Sequence, residues 1–115
     1  MHYNQERRFQ PRVAYAKEIW IGQDGIFSRT SDRIGNISVS GIFVETAQIF
    51  AVGSIVNLRF PLGDAGELVS CSATVINTPG HGLGMHFIDL PPEARSKISS
   101  MAELRANTFP RSAKP

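Results

Sequence analysis

The sequence predicts an all-β fold, an antiparallel barrel with one C-terminal α-helix set against an end or open side. Three observations carry that prediction. Short runs rich in β-branched and aromatic residues recur along the chain, Gly- and Pro-containing turns separate them at near-regular spacing, and a single helical period follows the last run. Closure into a barrel also removes the exposed edges that such strands would otherwise present.

Residues 1–12 are polar, lack periodicity and contain Pro11, which disfavours a helix; they predict a flexible arm. An arm that is mobile when empty and ordered when its arginines meet phosphate binds at an entropic cost, yet wraps its ligand. Val13 to Ile21 is rich in β-formers and ends at Gly22, with Gln23-Asp24-Gly25 as turn chemistry. Ile26 to Ile34 predicts a weaker strand, punctuated by Gly35.

In the next stretch, Asn36-Ile-Ser-Val-Ser-Gly41, Ile37 and Val39 alternate with Asn36, Ser38 and Ser40. As a strand it turns apolar side chains to a core and an amide and hydroxyls to the other face. Gly41 then permits a bulge or a close approach to the backbone, and the unbroken Ile42-Phe43-Val44 predicts burial on both faces of a strand reaching Glu45. Ala47 to Ala51 fits either a helical turn or a loop.

Val52-Gly53 turns the chain into a strand from Ile55 to Phe60, which Pro61 is expected to end. Leu62 to Gly66 reads as a hairpin loop, Glu67 to Asn77 as the longest strand, and Thr78-Pro79-Gly80 as the next turn. After it, Leu83, Met85 and Phe87 fall on one face of a strand, with Gly82, Gly84 and His86 on the other. Pro91-Pro92-Glu93 marks a helix start, and Ala94, Ile98, Met101 and Leu104 or Arg105 form one apolar stripe. The organisation is then a flexible Arg-rich arm (1–12), one barrel with its helix (13–106) and a disordered tail (107–115).

A chain of 115 residues can bury a core without staples, and 42% hydrophobic with 19% charged residues is ordinary for a globular protein. The single Cys71 excludes an intrachain disulfide and reads as a reduced thiol packed like a small apolar group. No stretch has the length of a membrane span and the N-terminus is polar, so the expected location is the cytoplasm, without membrane insertion.

A net charge of +2 is too small to argue for DNA binding, but Arg7, Arg8 and Arg12 lie within six residues opposed only by Glu6, a local field suited to a small anion. His81 and His86 read as projecting to opposite faces of one strand, and with the lone Cys71 they do not complete a metal site. No Ser, His and acid arrangement stands out for nucleophilic catalysis, and no glycine-rich loop leads into a helix as in a phosphate-binding loop. The expectation is a protein that is not an enzyme and has no metal or cofactor. Trp20, Phe27 and Phe43 read for the most part as core, the alternative being a stacking platform for single-stranded nucleic acid.

Arg8-x-x-x-Arg12 followed by Asn36-x-Ser38-x-x-Gly41 resembles the paired signature of the PilZ domain, a bacterial six-stranded β-barrel that binds cyclic di-GMP. Gly82-Leu-Gly-Met-His-Phe87 looks like that family's last barrel strand, and Pro92 to Arg105 like its C-terminal helix; the resemblance covers roughly residues 6 to 105. It implies a ligand site made of Arg7, Arg8, Arg12, Asn36, Ser38 and Gly41. The chemistry of those residue types agrees. Guanidinium is a rigid, permanently charged fork that meets phosphate bidentately and also fits the O6 and N7 edge of guanine.

On the same reading Asn36 and Ser38 offer an amide and a hydroxyl to guanine or phosphate, and Gly41 lets the base approach the backbone. Where this chain has Asn36 the family often has Asp, which accepts from both guanine N1–H and N2–H; asparagine accepts with its carbonyl and donates with its amide. In proteins resembling this one, an arginine at the Arg7 position accompanies binding of two intercalated ligand molecules. The resemblance implies a monomeric cyclic di-GMP receptor that changes conformation on binding and signals to a protein partner in motility, biofilm or surface behaviour. The alternatives are an interaction module of type IV pilus or motility machinery that binds no nucleotide, and a small barrel that binds single-stranded nucleic acid.

Overall fold

The computed structural model describes residues 12–27, 32–63 and 66–113, with side chains to Leu104. In chain order the described elements are β1 (Val13–Ala14), β2 (Glu18–Gln23), β3 (Ile26–Phe27), β4 (Asp32–Ile37), β5 (Gly41–Glu45), β6 (Ile55–Leu62), β7 (Glu67–Asn77), β8 (Gly82–Phe87) and the helix α1 (Pro92–Ala113). The strands run β1-β4-β5-β8-β7-β6-β2-β3, and a further β4–β2 pairing closes β4, β5, β8, β7, β6 and β2 into a six-stranded ring. All of these pairings are antiparallel, with β1 and β3 as two-residue additions to the barrel.

The period-2 pattern sets which residues fill the barrel. Val56, Leu58, Phe60 and Leu62 of β6 and Val69, Cys71, Ala73 and Val75 of β7 point inward, and the residues between them lie on the outer face. Ile42 and Val44 are buried while Phe43 between them is half-buried on the outside, so β5 alternates rather than burying both faces. The expected Asp24-Gly25 turn is present. Both residues have positive φ (53° and 79°), the combination a two-residue hairpin of type I′ requires between β2 and β3.

Several boundaries differ from the sequence reading. The run from Val13 is two strands, because β4 is bulged at Gly35. Tyr15 N donates to Gly35 O, Ile34 N donates to Lys17 O, and residues 15–17 jog past the bulge before β2 begins. Gly35 therefore lies inside β4, and the bulge expected at Gly41 falls six residues earlier, between Ile34 and Asn36. Of the predicted strand from Ile26 to Ile34, β3 and the start of β4 are seen, and residues 28–31 lie outside the described residues.

Pro61 does not end β6 but pairs with Leu68. The β2–β6 pairing extends only from Trp20 to Gly22, so no second neighbouring strand needs an N–H at that position. Ala47 to Ala51 is a loop, held by Gln48: its backbone N–H donates to Thr46 Oγ1 (2.9 Å), and its Nε2 donates to the buried Asp32 carboxylate (2.6 Å).

The helix closes the barrel with Leu90, Ala94, Ile98 and Ala102 buried and Met101 packed beside them. Leu104 is 69% exposed, so the apolar stripe runs through Ala102 rather than on to Leu104. α1 continues to Ala113, so residues 107–113, expected as a tail, are helical. Lys97 Nζ donates to Glu67 at the start of β7, tying the helix to the β6–β7 hairpin. That hydrogen bond, aided by the lysine's charge, lowers the Glu67 pKa. Any stability from the pair is present above the ordinary carboxylate range and is lost as pH falls through the lowered folded value, and salt screens it because both groups are exposed.

Cys71 is buried in β7, and its thiol is pushed up to about 12, first by burial and then by the negative charge of Asp89. Since the thiolate is the reactive form, a disulfide-type thiol reagent at pH 8 should leave Cys71 unlabelled in the folded protein and label it promptly in urea. Rapid labelling of the folded chain would contradict the inward placement of this side chain. Among the described residues, no helix is long and apolar enough to cross a membrane.

Candidate functional site

Asn36, Ser38 and Gly41, singled out in the sequence, sit where β4 turns into β5. Their local geometry begins with a hairpin, not with one continuous strand. β4 ends at Ile37, which pairs with Ile42, and Ser38 N donates to Gly41 O (2.8 Å) across the tip formed by Val39 and Ser40. Ser38 is 1% exposed, and its hydroxyl is engaged within the turn. Its Oγ accepts from the N–H groups of Ser40 and Gly41 (3.3 Å each) and donates to Gly41 O at 3.4 Å. This is the turn chemistry of a serine hydroxyl replacing a backbone group. Ser38 thus shapes the tip and does not project beside Asn36 as continuous alternation would have it.

Gly41 has an equally local reason to be glycine. A Cβ at this position would lie 2.4 Å from Met85 O, so the close approach it permits is that of β8. The tip is fastened to the same strand by Phe87 N, which donates to Ser40 O (3.0 Å). A rigid corner of backbone results, with β8 packed directly alongside.

Asn36 is half-buried on the outer face, next to the bulge at Gly35. Pairing of Ala14 with Asn36 brings β1 alongside, and the arginine two residues before Ala14 folds onto the amide: Arg12 Nη1 donates to Asn36 Oδ1 at 2.8 Å. Residues 24 apart in sequence therefore meet directly. The contact leaves the Asn36 amide nitrogen and the rest of the Arg12 fork to meet other groups. Arg7 and Arg8 lie outside the described residues. Of the six residues predicted for the site, Arg12, Asn36, Ser38 and Gly41 are gathered at one hairpin.

The register supplies neighbours that residue types alone did not suggest. Phe43 pairs with Asn36 on one side and with Gly84 on the other. Its ring lies against Gly35 and Gly82, where added Cβ atoms would stand 3.0 and 2.2 Å from ring carbons, so it forms a flat wall over three strands. Trp20 and Phe27 stand elsewhere. Trp20 pairs with Arg59, and the Arg59 guanidinium sits 4.9 Å over the Phe27 ring. Trp20 is 37% exposed and none of the three aromatics belongs to the core, but they do not share one platform. His81 lies in the turn before β8, whereas His86 is within β8 and exposed. Among the described residues no cluster of three or more His, Cys, Asp or Glu could hold a metal.

The family model for the PilZ domain matches residues 6–103 of this chain. The chain belongs to the PilZ domain family. Two solved structures share its fold. One is the Bacillus subtilis inhibitor of motility MotI/DgrA, with a TM-score of 0.70 and 17% identity over 89% of this chain and 52% of that one. The other is the PilZ domain of CeSA from a cellulose synthesizing bacterium, with a TM-score of 0.60 and 13% identity over 79% of this chain and 93% of that one. The PilZ chain described here spans about half the length of the motility inhibitor, and at these identities the likeness is one of fold. A comparison with curated proteins found no match.

Proposed function

We propose that this PilZ domain is a non-enzymatic receptor for cyclic di-GMP, with Arg7, Arg8, Arg12, Asn36, Ser38 and Gly41 as its ligand site. The observation that carries this reading is the 2.8 Å contact between Arg12 and Asn36, which joins the two halves of the family signature on one surface. In the ligated state the forks of Arg8 and Arg12 take phosphate oxygens or a guanine O6 and N7 edge, and Asn36 presents its amide to a second polar edge. Ser38 and Gly41 hold the corner on which the ligand rests. Arg7 supplies a further cation, which would offset the crowded phosphates of two intercalated ligands.

Two or three charge-assisted contacts at about 1.5–3 kcal/mol each, with base stacking, reach roughly micromolar affinity after ordering costs. Ligand held by Arg7, Arg8 and Arg12 changes the outer surface beside β1 and β4, and a protein partner reads that change. The fold shared with an inhibitor of motility makes motility control the first process in which to seek the partner.

Calorimetric titration with cyclic di-GMP should give saturable heat in the micromolar range, with little from GMP at the same concentration. Absence of heat at tens of micromolar ligand would overturn the assignment. A second reading draws on Ser38 and Gly41, whose roles in the hairpin need no nucleotide: the domain is then a protein-interaction module of motility or pilus machinery. It requires that a partner be retained equally with and without cyclic di-GMP.

A further inference from the structure

We infer that His86 is an additional ligand-contacting residue of this site, placed to take the far half of a cyclic dinucleotide. The inference rests on the cyclic di-GMP reading above and deepens it. Two observations set His86 over the signature hairpin. His86 pairs directly with Gly41, and a Cβ at Gly41 would stand 3.3 Å from His86 Cδ2, so the imidazole lies beside the bare backbone of that glycine. The adjoining Phe87 N–H holds the carbonyl of Ser40, which locks β8 and the tip together.

His86 also faces the same way as Asn36. Ile37 and Ile42 point into the core, as do Leu83 and Met85, so Asn36, Phe43, Gly84 and His86 all lie on the outer face. Asn36 and His86 are separated by two strand spacings and about two residues along the strands, roughly 12 Å. Between them lies the bare backbone of Gly41, while the Phe43 ring turns the other way, against Gly35 and Gly82, and the Asn77 side chain covers Gly84. On either side of His86 the paired residues are Gly41 and Thr74, neither of them charged. An exposed imidazole there can donate to a phosphate oxygen or to guanine O6 or N7, and can stack on a base. A ligand with two bases and two phosphates, held at Arg12 and Asn36 by one half, extends its other half toward this group.

The test is calorimetry with cyclic di-GMP on the parent chain and on His86→Ala, His86→Gln, His86→Asp and His81→Ala. His86→Ala should weaken binding about tenfold, as expected for loss of one hydrogen bond to a charged group. His86→Gln, which keeps a donor, should recover part of the loss, and His86→Asp should lose more than alanine by repelling phosphate. His81→Ala, in the turn at the other end of β8, should bind like the parent. Melting temperatures should stay close to that of the parent, because His86 is exposed. If the parent binds and His86→Ala and His86→Asp bind within twofold of it, the role of His86 is overturned and the receptor reading stands. If the parent itself binds nothing, both fall.

Discussion

Replacing Arg8 and Arg12 together by alanine should reduce cyclic di-GMP affinity by at least about 100-fold, with the melting temperature unchanged. Two charge-assisted contacts at about 1.5–3 kcal/mol each amount to about 3–6 kcal/mol, and 1.4 kcal/mol is a factor of ten. Arg12 makes its contact with Asn36 at the exposed surface, so its loss weighs on binding more than on folding. Lysine at both positions should restore only part of the affinity, because a point charge replaces a planar fork. Combining Arg12→Ala with Asn36→Ala should weaken binding by less than the sum of the single effects, as the two side chains already form one unit. A double arginine variant that binds within threefold of the parent would contradict the proposed roles.

Gly41→Ala should have the largest effect on stability of any substitution in the signature. The added methyl would stand 2.4 Å from the Met85 carbonyl, and that atom belongs to the backbone of a paired strand rather than to a side chain that can swing aside. Relief requires β5 and β8 to part at the position where Gly41 pairs with His86, which also strains the Ser38 turn and the bond from Phe87 to Ser40. Overpacking of this kind costs about 1–3 kcal/mol, or roughly 5–20 °C in melting temperature for a domain of this size. Ligand affinity should fall with it, since the corner carrying the site is displaced. Thermal unfolding followed by circular dichroism measures the effect, and a melting temperature within about 2 °C of the parent would show that the strands accommodate the methyl.

Much of this architecture could be read from residue order. Alternation in β8 was explicit, β7 was legible as the longest strand, Asp24-Gly25 turned where its chemistry says it should, and Pro92-Glu93 opened the helix. The six-strand closure came with the family resemblance and not with any periodicity, because the decisive β4–β2 pairing joins segments whose contact no local pattern encodes. Residue type alone puts Pro61 at a strand end, whereas whether a strand tolerates proline depends on how far its neighbour extends. Both Gly35 and Gly41 could serve as a bulge by residue type, and only the register of β4 against β5 assigns the bulge to Gly35 and the close strand contact to Gly41.

The site was legible to a similar depth. Arg12 and Asn36 were named as partners of one ligand, but their direct hydrogen bond depends on the pairing of Ala14 with Asn36, two residues on from the arginine. Ser38 appeared as an outward hydroxyl because alternation was extended through a hairpin tip, where it no longer applies. His86 looked like one of two histidines unfit for metal; its position over Gly41 follows from the β5–β8 register alone.

The most direct test of a single convergent site is an amide-resolved NMR titration of the full chain with cyclic di-GMP. Residues 6–12 and 36–41 should shift together along one saturation curve, and amides of residues 6–12 should gain protection from hydrogen exchange. Saturation that perturbs only one of these segments, or shifts them along curves with different midpoints, would contradict a single convergent site.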